Sequence, residues 1–100
     1  MNSQTWHILK QTELYQKFLN DTSIVKIELE FKFDDYKVDL YAKNNKGKII
    51  IIEIGQIAKG KHNRLKRLSR MHEIEYRHIP FPKMYMYHKR KRLKTAKFSH

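Results

Sequence analysis

The sequence predicts an α/β domain, an α+β mixed sheet with helices packed on it, in the element order α-β-β-β-α-β. Three observations predict it. Apolar residues recur at helical spacing before Asn20, they alternate strictly from Val25 to Phe33, and an unbroken isoleucine run fills Ile49 to Ile52.

Trp6, Leu9, Leu14, Tyr15, Phe18 and Leu19 describe one amphipathic helix between Thr5 and Asn20. Its most regular part starts at Thr12, a side chain suited to cap it, with Glu13 in a first turn where the helix dipole favours an acid. Asn20-Asp21-Thr22-Ser23 closes the segment. Next, Val25, Ile27, Leu29, Phe31 and Phe33 share one face, with Lys26, Glu28, Glu30 and Lys32 on the other, which is a strand with one wet face. Asp34-Asp35 turns the chain into a second strand from Tyr36 to Lys43. After Asn44-Asn45-Lys46-Gly47, the β-branched run from Lys48 to Gly55 reads as a central strand covered on both faces. Leu65, Leu68 and Met71 then mark a basic helix over 61–71, and Ile74, Tyr76, His78 and Ile79 a fourth strand stopped by Pro80 and Pro82. Consecutive hairpins followed by a strand–helix–strand crossover require both antiparallel and parallel pairing. Residues 83–100 are expected to be a basic C-terminal helix or tail.

At 100 residues, one domain is expected over 1–100, too small to house a separate cofactor domain. The absence of Cys removes disulfides, Cys-ligated zinc, iron–sulfur clusters and thiol nucleophiles. The three glycines do not have phosphate-loop spacing, and the six histidines do not form a convincing i, i+4 zinc pair. No stretch approaches the roughly 20 apolar residues that cross a bilayer, and the N-terminus lacks signal-peptide order, so a soluble cytoplasmic protein without membrane contact is expected.

The formal net charge of +12 is unevenly placed. Eight lysines balance eight acids in residues 1–56, so all the excess lies in the C-terminal half. Such asymmetry points to a polyanionic partner, with nucleic acid foremost, because fixed cations release counterions from a phosphate backbone. The candidate contacts are Lys59, Lys61, Arg64, Lys66, Arg67 and Arg70 on the second helix and Lys89, Arg90, Lys91 and Arg92 beyond it. Met84-Tyr85-Met86-Tyr87 suits core or interface packing, with base stacking as the alternative.

Glu53 interrupts the isoleucine run, and a carboxylate there must be paired, protonated or bound to a cation. If Asn45-Lys46-Gly47 is a three-residue loop with Gly47 left-handed, Asn44 pairs with Lys48 and Asp39 falls opposite Glu53. Opposed side chains approach to about 5 Å between Cβ atoms, and like charges there destabilise the pair. A divalent cation would bridge them, and an all-oxygen site suits Mg²⁺ or Mn²⁺. The alternative is a plain surface acid pair, or a one-residue slip that sends the two acids to opposite faces.

Asp39, followed by Glu53 at the end of an Ile-rich strand with a helix before and a basic helix after, resembles the PD-(D/E)XK nuclease superfamily over roughly residues 10–80. More narrowly, Val38-Asp39-Leu40-Tyr41-Ala42, Ile52-Glu53-Ile54-Gly55 and His78-Ile79-Pro80 are similar to small archaeal and archaeal-virus members near the Holliday-junction resolvases. The resemblance implies a restriction-endonuclease-like αβββαβ core and a metal-dependent endonuclease acting on double-stranded or branched DNA. It implies Asp39 and Glu53 as Mg²⁺ or Mn²⁺ ligands, and Glu13 as an accessory group, with Glu30 as its rival. A homodimer is expected from small size and the same analogy.

One position departs from the family pattern. The motif lysine two residues after the glutamate is replaced by Gly55, which cannot activate water. Gln56, Lys61 or Lys59 is left to supply that function. The competing readings are a non-catalytic DNA-binding protein on the same fold, and a small RNA-binding or ribosome-associated protein that leaves the placement of Asp39 and Glu53 unexplained.

Overall fold

The structure, a computed structural model, describes residues 2–82. Helix α1 (Ser3–Leu19) starts earlier than its apolar pattern. Asn2 caps it, its side chain accepting from Thr5 N–H at 2.7 Å. Thr12 is therefore mid-helix, and its hydroxyl donates to the Ile8 carbonyl instead of capping. Asp21 accepts from both the backbone and the hydroxyl of Ser23, and this turn feeds the chain into β1 (Ile24–Phe33).

Strands β2 (Tyr36–Asn44) and β3 (Ile49–Ile54) follow, then α2 (Lys59–His72) and β4 (Glu75–Ile79). The sheet order is β1-β2-β3-β4, antiparallel except for the parallel β3–β4 pair. This is the mixed α+β architecture and element order that the hydrophobic pattern predicts. Among the described residues, no helix is long and apolar enough to cross a membrane.

The β2–β3 register runs from Lys43 opposite Ile49 to Leu40 opposite Ile52. Its turn closes as expected: Asn44 N–H donates to Lys48 O at 2.9 Å, and Gly47 adopts φ +83, a conformation that side chains resist. The Asn44 side chain also accepts from Lys46 and Lys48 N–H.

Each sheet face is covered by one helix. Leu14 and Phe18 of α1 pack on Leu40, Ala42, Ile50, Ile52 and Ile54, while Leu65 of α2 packs with Val38, Tyr41, Ile51 and Ile74. β3 is thus buried on both faces, and each isoleucine so buried contributes on the order of 2 kcal/mol.

The simple alternation expected for β1 does not hold. Ile27 packs on the α1 side, but Phe31 and Phe33 join the α2 side, and Val25 and Leu29 are exposed. Val38 and Leu40, two apart on β2, likewise belong to opposite clusters. β1 carries two irregularities: its register against β2 shifts between Ile24 and Lys26, beside the exposed Val25, and Glu30 sits at φ +52 where the apolar side chains change face, with the register unshifted on either side of it.

Candidate functional site

The switch of faces coincides with the end of the β2–β3 ladder. One step beyond the Leu40–Ile52 pair, side chains replace the backbone rungs. Asp39 N–H donates to Glu53 Oε2 at 2.9 Å, and Ile54 N–H donates to Asp39 Oδ2 at 2.7 Å. Each carboxylate therefore satisfies a backbone donor of the opposite strand, and the acids at positions 39 and 53 are neighbours as the turn register predicts. Among the described residues, Asp39 Oδ1 accepts no hydrogen bond, and no aligned hydrogen bond reaches Glu53 Oε1.

Glu53 is 2% exposed. Burial raises its pKa from 4.5 to about 6; the Lys61 ammonium opposes that rise, and the nearby Asp39 carboxyl adds to it. The Lys61 ammonium ion-pairs with Glu53 Oε1 and donates to the Lys37 carbonyl at 2.7 Å. The lysine reaches inward from the first turn of α2 and bridges β2 and β3 beneath the carboxylates.

Helix α1 contributes two further groups. His7 Nε2 lies 3.2 Å from Asp39 Oδ2. Gln11, 9% exposed, donates from Nε2 to the Asp39 carbonyl at 2.8 Å and to Glu30 Oε1 at 3.1 Å. By register Glu30 stands opposite Asp39, so the glutamine bridges β1 and β2 at the position where Glu30 is left-handed.

On the other side, β4 places His78 beside Glu53. His78 Nε2 donates to the Gly55 carbonyl at 2.6 Å, and Tyr76 shares a 2.8 Å hydrogen bond with His62 Nδ1. The Tyr76 phenol is pushed up to about 12, first by burial and then by the charges of Glu53 and Asp39, so it stays neutral. Gly55 turns the chain at φ +86, and its N–H donates to Ile79 O. A lysine at this position would be strained, and the nearest atom to a Cβ added there is His7 Cδ2 at 3.9 Å. Beyond it, a pocket of about 520 Å³ opens between Gly55, Gln56, Ile57, Ala58, His78, Pro80 and Phe81.

Of the residues singled out from sequence, Asp39, Glu53 and Lys61 are brought together. Glu13 is not. It lies about 200° around the helix from Gln11 at 100° per residue, its side chain is 67% exposed, and it pairs with Lys10 at 3.2 Å. Gln56 is exposed on the pocket wall, and Lys59 is exposed at the start of α2. Arg64 pairs with Asp34 at 3.1 Å, whereas Lys66, Arg67 and Arg70 are exposed. Lys89, Arg90, Lys91, Arg92 and the Met84–Tyr87 segment lie outside the described residues. His7, Gln11 and Tyr76 are new. The first two had a signal, since 7, 11, 14 and 18 form one inward helical stripe whose first two members are polar.

Among the described residues, no group of three or more His, Asp or Glu side chains is gathered to hold a metal ion, so the candidate centre is a carboxylate pair. An Mg²⁺ ion is commonly held by one or two carboxylates, with water and phosphate oxygens completing its shell; of the two oxygens unused by backbone donors, Asp39 Oδ1 is open to such an ion and Glu53 Oε1 is paired with Lys61. No protein-family model, curated protein or solved structure matches this chain.

Proposed function

We propose that the protein is a metal-dependent nuclease of the PD-(D/E)XK type, hydrolysing DNA phosphodiester bonds at Asp39 and Glu53. The observation that carries this reading is the reciprocal bonding of the two acids. Each spends one oxygen on the opposite strand's N–H, which fixes both carboxyls; Asp39 Oδ1 is then open to a cation, while Glu53 Oε1 is ion-paired with Lys61, which a metal ion there would have to displace. Mg²⁺ or Mn²⁺ held there supplies a water of lowered pKa and charge stabilisation at the phosphate.

The chain's own groups have separable roles. Asp39 and Glu53 provide the oxygen ligands. Lys61 keeps positive charge beside Glu53, and it stands where the family lysine is missing because Gly55 has turned the chain away. The basic C-terminal half holds the DNA, and a homodimer acting in the cytoplasm would present two such sites to a duplex or a branched junction.

A second reading, a DNA-binding protein without catalysis, draws on one specific observation: Lys61 already supplies a cation to Glu53. Cleavage of plasmid and branched DNA with Mg²⁺ or Mn²⁺ decides between the two. The nuclease reading expects cleavage by the wild type and its loss in Asp39→Asn and Glu53→Gln, with DNA binding retained. Binding without cleavage by the wild type in either metal leaves the second reading.

A further inference from the structure

Helix α2 contains no acidic residue, yet its six lysines and arginines are not equivalent. At 100° per residue, Lys59, Asn63, Lys66 and Arg70 fall within about 60° of one another, with Arg67 flanking them. All five are exposed. Leu65 and Leu68, on the opposite side, are buried against the sheet. The two remaining cations already have partners: Lys61 the buried Glu53 and the Lys37 carbonyl, Arg64 the surface carboxylate of Asp34. Lys59, Lys66, Arg67 and Arg70 have no acidic partner among the described residues.

We infer that the outer face of α2 is a phosphate track for one flank of a nucleic-acid strand, formed by Lys59, Lys66, Arg67 and Arg70 and leading away from the Asp39–Glu53 pair. Lys59 lies in the same first helical turn as the lysine that touches Glu53 but on the outer side, so the track starts about one helix width from the candidate site. It extends about 16 Å to Arg70 at 1.5 Å per residue. Four cations on one side of the helix, without an acidic ion-pair partner among the described residues, repel one another and gain most from a row of phosphates. Lys61 takes no part, because moving it onto a phosphate would strip the buried Glu53 carboxylate of its partner, and Arg64 lies about 140° around the helix from Lys59, turned toward Asp34 by a 3.1 Å hydrogen bond.

The track deepens the nuclease reading by locating one flank of the substrate, but its test does not depend on cleavage. Duplex DNA binding by the full chain is titrated in EDTA between about 50 and 200 mM salt. Replacing Lys59, Lys66, Arg67 and Arg70 together by Gln should reduce the slope of log affinity against log salt by about 3.6, from roughly 0.9 per lost phosphate contact. Arg64→Gln should leave the slope unchanged. An unchanged slope in the fourfold variant overturns the track, as does an Arg64→Gln loss equal to that of a single outer cation. The reduced slope, together with wild-type protein that never cuts in Mg²⁺ or Mn²⁺, keeps the track and removes the nuclease.

Discussion

The β2–β3 hairpin is built differently at its two ends. At the turn, backbone groups close the ladder: Asn44 pairs with Lys48, and Gly47 at φ +83 lets the chain reverse. At the open end, two carboxylates do the work of backbone carbonyls, and a second left-handed glycine, Gly55 at φ +86, turns the strand out of the sheet. The first end has no titratable side chain in its rungs. The second has two, one of them buried, and so its strength depends on pH and on Lys61. A ladder rung made of a side chain is a place where stability and chemistry are coupled.

The sharpest way to break the contrast is Lys61→Met, which leaves Glu53 buried beside Asp39 without its ammonium. We expect a loss of about 3 kcal/mol at pH 7 by urea denaturation, shrinking at pH 5 where Glu53 can take a proton. An equal loss at both pH values would mean that packing alone, not charge, holds this end together.

Proton linkage gives the next effect. The pKa of Glu53 is raised in the fold to about 6 from 4.5, so the folded state binds the proton more tightly than the unfolded chain does. Its contribution to stability is therefore fully present below pH 4.5 and is lost as pH rises through 6. The expected span is about 2 kcal/mol, and Glu53→Gln should remove it. Stability curves for wild type and Glu53→Gln that run parallel between those pH values would contradict the assignment.

Asp39→Ala removes the acceptor of the buried Ile54 N–H and should cost about 2 kcal/mol. Asp39→Asn keeps an oxygen there and should cost clearly less in the same thermal or urea measurement. The mildest comparison pairs the two glycines. Gly47→Ala and Gly55→Ala both force a Cβ into a left-handed residue, and each should cost about 1 kcal/mol. They should match, because the nearest atom to the new methyl at 55 is at ordinary contact distance and there is none near 47. A much larger loss at 55 would show that His7 cannot accommodate even a methyl.

Much of the candidate site is legible because it is local. The spacing from Asp39 through a three-residue loop to Glu53 is a counting problem, and pleating makes the count sufficient. Helix α2 is similarly readable, although its pattern did not separate Lys61, which turns inward, and Arg64, which pairs with Asp34, from the four outer cations. Glu13 misled, because a helix reports its phase only through the residues it buries. Leu14 and Phe18 set that phase here, and it carries His7 and Gln11, not Glu13, toward the sheet.

Element types, their order, the turn register and the placement of net charge were determined by the sequence alone, since each arises from residues close together in the chain. The left-handed Glu30, the glutamine that bridges it to Asp39, the switch of faces at Val38 and Leu40, and the capture of Glu53 by Lys61 were decided only by tertiary structure. Each of those joins segments that no local periodicity relates. What selects them is the need to satisfy buried polar groups once two helices have closed on the sheet.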